Sequence, residues 1–175
     1  MKHTALDPEE PYGVAKDYVQ SAYAIMTNPL RLQLSDDRGL LMGFHMLCGF
    51  AVELYLKAFL AHKGYSEEQL KRREIGHDLL RLRELCMSEG LYSSGMDFLA
   101  GTFGKHHKNF DYRYLKRETV YWVEDLRIIF SAFSSLNLLV DTAIGASSSR
   151  GKKPGDKWDF PTDRAWRLPR AETHP

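Results

Sequence analysis

The sequence predicts an all-α fold, an up-and-down bundle of about six helices, several of them short, around one long buried helix. Apolar residues recur at spacings of three and four in several segments, which is the pattern of helices with one buried face. Residues 39–60 are apolar nearly all round, as expected of a central helix that is covered on every side. The β-prone run at residues 119–123 is short and has no obvious pairing partner. With 175 residues, 43% of them hydrophobic, the chain can bury the core of one such domain.

The first helix is predicted to begin at an acidic turn and to end before residue 29. Asp7 supplies an acceptor at the cap, and Pro8 is favoured in the first helical turn. Asn28 followed by Pro29 is typical of a helix end. Apolar side chains follow helical spacing between these points, and they are Tyr12, Ala15, Val19, Ala22, Tyr23 and Met26.

Two formal charges lie in the second half of the central helix. Glu53 and Lys57 are spaced four residues apart with the acid first, which is the favourable order. A charge inside an apolar helix is costly unless it has a partner. We therefore expect polar side chains from the segments around His77 and Arg113 to hold this pair. An intrahelical pair that covers one face, or a contact with a ligand, are the alternatives.

Capping residues predict the boundaries of the next helices. Residues 35–37 supply acceptors at the start of the central helix, and Gly64 ends it. A capping box that begins at Ser66 opens a short basic helix. Asp78 can cap the helix after that, and Gly90 ends it.

The second half of the chain is predicted to hold two more helices with a loop between them. Serines at 93–94 begin the shorter helix, and the periodic pattern dissolves at residues 104–117 into a basic and aromatic loop. The last strong helix is expected from about residue 122 to residue 144. Ile128 and Leu139 lie off its apolar stripe, which indicates a second face packed against a partner. A homodimer is therefore expected.

Composition divides the chain into a helical bundle, residues 1–146, and a C-terminal tail, residues 147–175. The tail is basic and rich in Ser, Gly and Pro, a composition typical of disorder. Two of the three tryptophans of the chain lie in it, and free tails rarely carry such residues. We expect the tail to dock on the bundle or on a second subunit, with a flexible tail as the alternative. The docking side chains would be Trp158, Phe160, Trp166 and Leu168.

Several broad classes are disfavoured by charge, cysteine content and motifs. A net charge of +1 indicates no global field for nucleic acid. Cys48 and Cys86 lie in apolar helical patterns, which predicts buried free thiols and fits a reducing cytoplasm. The N-terminus has no signal-peptide pattern and the central helix contains two charges, so a cytoplasmic protein without a membrane span is expected. No P-loop, G-x-G-x-x-G, H-E-x-x-H or G-x-S-x-G motif is present, so nucleotide binding would not be of the Walker type.

Three short sequence motifs follow one another along the chain. They are Phe-Ala-Val-Glu-Leu-Tyr-Leu-Lys-Ala at 50–58, Gly-His-Asp-Leu at 76–79, and Tyr-Arg-Tyr at 112–114 ahead of the last long helix. Together they resemble the HEPN-domain family, over roughly residues 10–145. The resemblance implies a small helical bundle with a long central helix. It also implies either a metal-independent ribonuclease, often a toxin paired with a nucleotidyltransferase-like antitoxin, or a nucleotide-binding or interaction module.

The ribonucleases of that family are marked by an Arg followed, after four to six residues, by a His, usually on a late helix. There the His would act as general acid and base, and the Arg would steady the phosphate charge. The last helix here contains Arg127 but no His, which disfavours strong catalysis. The spacing occurs elsewhere, at Arg38 and His45, at Arg72 and His77, and at Arg167 and His174, and none of these pairs lies on the last helix, where the family has it.

The basic and aromatic residues around position 106 are the best local candidates for binding an anion. Their cations would attract phosphate and the nearby aromatic rings could stack on a base, whereas a solvated loop is the alternative. The candidate ligand-binding residues are Lys105, His106, His107, Lys108, Arg113 and Tyr114.

Two further sets of residues complete the sequence-based hypotheses. A structural polar cluster is expected from Glu53, Lys57, His77 and Asp78. If the chain cleaves RNA, His77, His106 or His107 would be the base, and Arg72 or Arg113 the phosphate clamp. No cofactor and no metal site are expected, because these three histidines lack the spacing of metal ligands.

The sequence thus favours a HEPN-like module that binds nucleotides or RNA, or interacts with a partner, without strong catalysis. A toxin–antitoxin or defence setting fits this hypothesis, with a homodimer and a nucleotidyltransferase-like protein as the expected partners. Whether the chain is an enzyme stays open. A metal-independent endoribonuclease is the first alternative, and a structural scaffold without a ligand is the second.

Overall fold

A computed structural model describes residues 5–113 and 124–155, and within these ranges it contains six α-helices and no strand. The all-α class and the number of helices predicted from the sequence are therefore confirmed. The helices are α1 (Glu9–Thr27), α2 (Arg38–His62), α3 (Glu67–Lys71), α4 (Leu79–Ser88), α5 (Ser94–Lys108) and α6 (Leu126–Ile144). Short 3-10 helices lie at Pro29–Leu32, Asp111–Arg113 and Ser148–Arg150.

The long helix α2 lies at the centre of the bundle and packs against α1, α4, α5 and α6. Fifteen of its twenty-five residues are buried, and they occupy all sides of the helix, as the continuous apolar pattern predicts. Its largest fully buried side chains are Phe44, Tyr55, Leu41, Leu56 and Leu60.

N-cap side chains fix the starts of α3, α4, α5 and α6, whereas the N-cap residues of α1 and α2 make no side-chain capping bond and Asp37 pairs with Arg31 instead. Ser66 and Gln69 form the predicted capping box of α3, with both reciprocal hydrogen bonds present. Asp78 accepts a hydrogen bond from the backbone of Arg81 at the start of α4, and Ser93 caps α5 in the same way. Gly64 follows α2 in the left-handed conformation that only glycine adopts without strain.

The loop predicted at residues 104–117 is wrong in its first part, because α5 continues to Lys108. Phe103 and His107 are both buried on the face of α5 that packs into the bundle. A buried histidine continues the helical stripe but is not apolar, so the hydrophobic pattern ends one turn before the helix does. The basic side chains of this last turn also suit the negative end of the helix dipole.

Helix α6 begins at Leu126, a few residues later than predicted, where Asp125 accepts hydrogen bonds from the backbone and side chain of Arg127. Cys48 and Cys86 are buried free thiols, as predicted. Burial raises the pKa of both thiols well above the ordinary range.

Two helices, α2 and α6, are long and apolar enough to cross a membrane by length and composition alone. This is weak support for a membrane span, because the core helix of a bundle passes the same test. In α2, 61% of the 18-residue apolar stretch that meets this criterion is buried inside the protein.

The turn between α1 and α2 is closed by a buried ion pair. Arg31 donates through Nε to Asp37 Oδ2 over 2.8 Å, and both side chains are almost wholly buried. Arg31 also donates to the carbonyl of Met26 near the end of α1. One guanidinium therefore links the last turn of α1 to the residue before α2.

A second buried polar cluster joins α1, α2 and α6. The Asn137 side-chain oxygen accepts hydrogen bonds from the hydroxyls of Tyr12 and Tyr55, each 3.1 Å away. One turn later on α6, Asp141 accepts from the backbone and hydroxyl of Ser147. The start of the predicted tail is therefore held against the bundle.

Residues 147–155 make further contacts with the bundle. Ser149 donates to Glu9 on α1, and the guanidinium of Arg150 pairs with the same carboxylate. The aromatic side chains on which the docking hypothesis rests lie outside the described residues, so that hypothesis stays a prediction.

We expect Asp141→Asn to destabilise the fold at neutral pH and to do so less in acid. Burial raises the pKa of Asp141, but the hydrogen bonds from Ser147, Tyr12 and Gly155 together outweigh it and lower the pKa below its ordinary value of 3.8. A lowered pKa contributes stability that is present above 3.8 and is lost as the pH falls through the pKa of the folded state. Urea unfolding at pH 7 should show a loss of about 1–2 kcal/mol, and titration toward pH 2 should narrow the gap to wild type.

The exposed Asp17 on α1 provides the matched control. Asp17→Asn should change the unfolding free energy by less than about 0.5 kcal/mol at any pH in this range. A gap between wild type and Asp141→Asn that stays constant from pH 7 to pH 2 would contradict the assignment.

Candidate functional site

The carboxylate of Glu53 is the centre of the polar cluster inside the bundle. Its side chain is 5% exposed and makes three charged or polar contacts. Lys57 donates to Oε1 over 2.6 Å. His77 Nδ1 lies 2.9 Å and His107 Nε2 lies 2.6 Å from the other oxygen, Oε2.

Each partner of Glu53 comes from a different part of the chain. Lys57 is one turn further along α2, His77 precedes α4 in the loop, and His107 lies in the last turn of α5. The His107 ring sits against Gly49, because a Cβ at position 49 would lie only 2.5 Å from His107 Nδ1. Phe50 contacts the same ring edge to face at 4.8 Å. Because Gly49 has no side chain, it leaves the space that the His107 ring occupies one turn before Glu53.

These partners keep Glu53 ionised. Burial raises the pKa of its carboxyl, but the hydrogen bond from His107, the charge and hydrogen bond of Lys57, and the contact with His77 together bring it down to about 2. At neutral pH the cluster therefore contains a fixed negative charge just beneath the surface.

An aromatic and basic surface lies over this charge. The side chain of His77 is 47% exposed, and its ring packs edge to face on Phe110 at 4.8 Å. The Arg113 guanidinium lies over the Phe110 ring at 4.1 Å. We call His77, Phe110 and Arg113 the stacked row.

Phe110 is held in an uncommon backbone conformation. Its φ of 54° is the only positive value at a non-glycine position among the described residues. For a bulky residue this conformation costs about 1–2 kcal/mol, so packing must hold it there. In this conformation the Phe110 ring contacts both His77 and Arg113.

The basic side chains of the last turn of α5 differ in their surroundings. Lys105 and Lys108 are exposed, and Lys108 pairs with Asp78 over 2.5 Å. His106 Nδ1 lies 3.0 Å from Asp111, whereas the adjacent His107 is buried on Glu53. Neighbouring residues on a helix point about 100° apart, so the two histidines belong to different clusters.

The structure brings some of the sequence-predicted residues together and separates others. Glu53, Lys57 and His77 are in contact, whereas Asp78 caps α4 and pairs with Lys108. The contact with Glu53 that was expected from the Arg113 segment is made by His107 instead. Arg72 is exposed at the end of α3, and Tyr114 lies outside the described residues.

The role of His107 as a partner of Glu53 was missed by the sequence analysis. The available signal is the pairing of a small residue with the charge one turn later, Gly49 before Glu53, on an otherwise bulky helix. Such a gap indicates that another side chain enters there. It does not say which of the seven histidines enters.

Comparison of the chain with models of known protein families, with curated proteins and with solved structures finds no match. The all-helical fold therefore rests on the structure itself. The HEPN resemblance rests on the three strings of sequence.

We expect Gly49→Ala to displace the His107 ring from its position against residue 49 and Glu53. The added methyl group would lie 2.5 Å from Nδ1, and neither the helix backbone nor the buried ring can retreat easily. Overpacking of this kind costs about 1–3 kcal/mol, measurable by thermal or urea unfolding. The His107 ring resonances in an NMR spectrum should shift at the same time.

Gly43→Ala on the same helix is the control. Its Cβ would meet only Ile25, at an ordinary 3.8 Å. Because alanine is the better helix former, this variant should gain up to about 1 kcal/mol. Equal stabilities of the two variants would show that the Gly49–His107 contact is unimportant.

Proposed function

We propose that the chain is a HEPN-like module that binds single-stranded RNA or nucleotides without strong catalysis. The single observation that carries the proposal is the stacked row of His77, Phe110 and Arg113, an exposed aromatic and cationic surface anchored on a buried carboxylate. A cytoplasmic toxin–antitoxin or defence setting, with a nucleotidyltransferase-like partner, extends the same proposal.

The chemistry of the stacked row suits an unpaired nucleotide. Bases of single-stranded RNA stack on aromatic rings and on guanidinium planes, at about 1–3 kcal/mol per base. Arg113 is also able to pair with phosphate oxygens in a bidentate manner. Lys108, on the last turn of α5, pairs with Asp78 beside His77, so its charge there is largely balanced and the exposed Arg113 is the main cation of this surface.

The side chains of the stacked row are held in place by their neighbours, which supports a role in ligand binding. Glu53 fixes the His77 ring from below, and the strained backbone of Phe110 fixes the aromatic ring beside it. A surface ordered before the ligand arrives loses less conformational entropy on binding. Strained backbone conformations held by their surroundings occur frequently at functional sites, and the Phe110 ring is held by His77 and Arg113.

Two of the three Arg and His pairs with ribonuclease-like spacing offer little support for catalysis. His45 is buried on α2, where its Nδ1 lies 2.8 Å from the carbonyl of Leu41. The pair in the tail, Arg167 and His174, lies outside the described residues. Of the two pairs within the described residues, Arg72 and His77 is the one in which both side chains are exposed.

The homodimer is proposed on the α5–α6 side of the bundle. A groove of about 660 Å³ runs between the start of α5 and α6, with the exposed side chain of Ile128 at its wall. Small residues line it, namely Ser94, Gly95, Ser131, Ala132 and Ser135.

RNA binding can be measured by fluorescence anisotropy with a labelled, unstructured 12-nucleotide RNA in EDTA at low salt. We expect wild type to bind and Arg113→Ala to bind about tenfold more weakly, because the guanidinium supplies both stacking and charge. Arg81→Ala is the control, since Arg81 is an exposed arginine on α4 that pairs with Glu84.

The same assay separates the alternatives. If Arg113→Ala and Arg81→Ala weaken RNA binding equally, the loss reflects net charge and not the stacked row, which would contradict the proposal. RNA cleavage in EDTA that is abolished by His77→Ala would establish the endoribonuclease instead. If the chain binds neither RNA nor nucleotides, a structural scaffold without a ligand is the remaining alternative.

Ile128→Asp should convert the proposed dimer to a monomer, because a charge would replace the exposed apolar side chain at the wall of the groove. Light scattering with size-exclusion chromatography measures the mass directly. The exposed Leu80 on α4 offers a control, since Leu80→Asp should leave the dimer intact. A wild-type protein that runs as a monomer at high concentration would refute the interface.

A further inference from the structure

Three metal-ligating side chains converge at the centre of the polar cluster. Glu53 on α2, His77 before α4 and His107 on α5 each present one donor atom, and these atoms all lie within 4.8 Å of one another. His77 and His107 lie 24 and 54 residues from Glu53 in the sequence. Ligand spacing along the chain therefore gives no sign of the cluster, and only the fold assembles it.

The arrangement of the donors is close to that of a three-ligand transition-metal site. Zinc binds histidine nitrogen and carboxylate oxygen at about 2.0–2.2 Å, which places tetrahedral ligands about 3.3 Å apart. The two nitrogens lie 2.6 Å and 2.9 Å from Glu53 Oε2. To reach this geometry, the two nitrogen–oxygen gaps must open by less than about 1 Å, and the two nitrogens, which lie within 4.8 Å of each other, must approach to about 3.3 Å. His77, which lies in a loop with an exposed ring, can supply most of that movement.

The groups around the donors suit a metal site. Lys57 holds the other carboxylate oxygen, Oε1, so Glu53 is oriented to offer Oε2 alone. Hydrogen-bonded support of this kind is typical of metal-binding carboxylates. Gly49 and Phe50 fix the His107 ring from the far side. The ammonium of Lys57 opposes a dication, so the affinity should be lower than that of four-ligand structural zinc sites.

We propose that Glu53, His77 and His107 form a binding site for a divalent transition metal of the zinc class. Glu53 and His107 are buried, and His77 is the exposed edge, so the ion enters from the His77 side. His77 would bind through Nδ1 and His107 through Nε2, the nitrogens that face Glu53. The fourth position faces solvent and would take water or an anionic oxygen. Two imidazoles and one carboxylate favour Zn²⁺ or Co²⁺ over Mg²⁺ and Ca²⁺, which prefer oxygen ligands.

Metal binding is tested on the full chain without RNA, so the result is independent of the proposed RNA binding. After dialysis against EDTA and then metal-free buffer, Zn²⁺ affinity is measured by competition with a chromogenic chelator. The visible spectrum of the Co²⁺ form reports the coordination geometry. We expect one Zn²⁺ per chain, tetrahedral Co²⁺ bands, and no competition from millimolar Mg²⁺.

Two histidine variants decide whether the ion occupies this site. His77→Ala removes a ligand from an exposed loop, and we expect it to weaken Zn²⁺ binding at least tenfold and to abolish the Co²⁺ bands. His62→Ala removes an exposed histidine at the end of α2 and should leave both unchanged. Circular dichroism of the metal-free variants checks that each is folded.

Three results would overturn the proposal. They are the absence of Zn²⁺ binding by folded wild type, equal affinities of wild type and His77→Ala, and a loss of binding in His62→Ala as large as in His77→Ala. As a second readout, the His77 and His107 ring signals in the NMR spectrum of wild type should both shift when one equivalent of Zn²⁺ is added. Shifts confined to other histidines would also reject the site.

Discussion

The rest of the structure depends on keeping one negative charge inside an apolar helix. Moving an ionised carboxylate out of water costs several kcal/mol even in a relaxed protein, so Glu53 must be surrounded by donors. Lys57, His77 and His107 provide them, and each comes with its own segment of chain. The loop before α4 and the end of α5 are thereby fixed on α2. Lys57 is the permanent cation among these partners. Breaking a buried ion pair by removing one member costs about 3–5 kcal/mol, so loss of the Lys57 ammonium should be the most costly.

This constraint explains why the surface above the charge is ordered. His77 has one ring nitrogen directed inward and its opposite edge outward, so the buried carboxylate determines what the surface presents. Phe110 packs against that edge and carries Arg113 on its face. The buried carboxylate of Glu53 is thus linked through two side chains, His77 and Phe110, to the exposed cation of Arg113.

Much of the fold could be predicted because it follows from local rules. Helical periodicity marked α1, α2 and α6, and the capping residues Ser66, Asp78 and Ser93 marked the starts of shorter helices. The end of α5 could not be located in this way, since its buried face there carries His107, a residue that also occurs on surfaces. The pairing of Glu53 with His107 depends on how α2 and α5 cross, and no single-sequence pattern encodes that crossing. His77 was identified because it lies in the Gly-His-Asp-Leu string and the buried charges of α2 required a polar partner.

The buried pair of Arg31 and Asp37 has a consequence for the order of folding. These residues are six positions apart, whereas 54 positions separate Glu53 from His107. Closing the shorter loop costs about 2 kcal/mol less chain entropy. The α1–α2 hairpin can therefore assemble early and offer α2 as a template, onto which the Glu53 partners arrive later. φ-values near one at Asp37 and near zero at His107 would be the kinetic signature of this sequence of events.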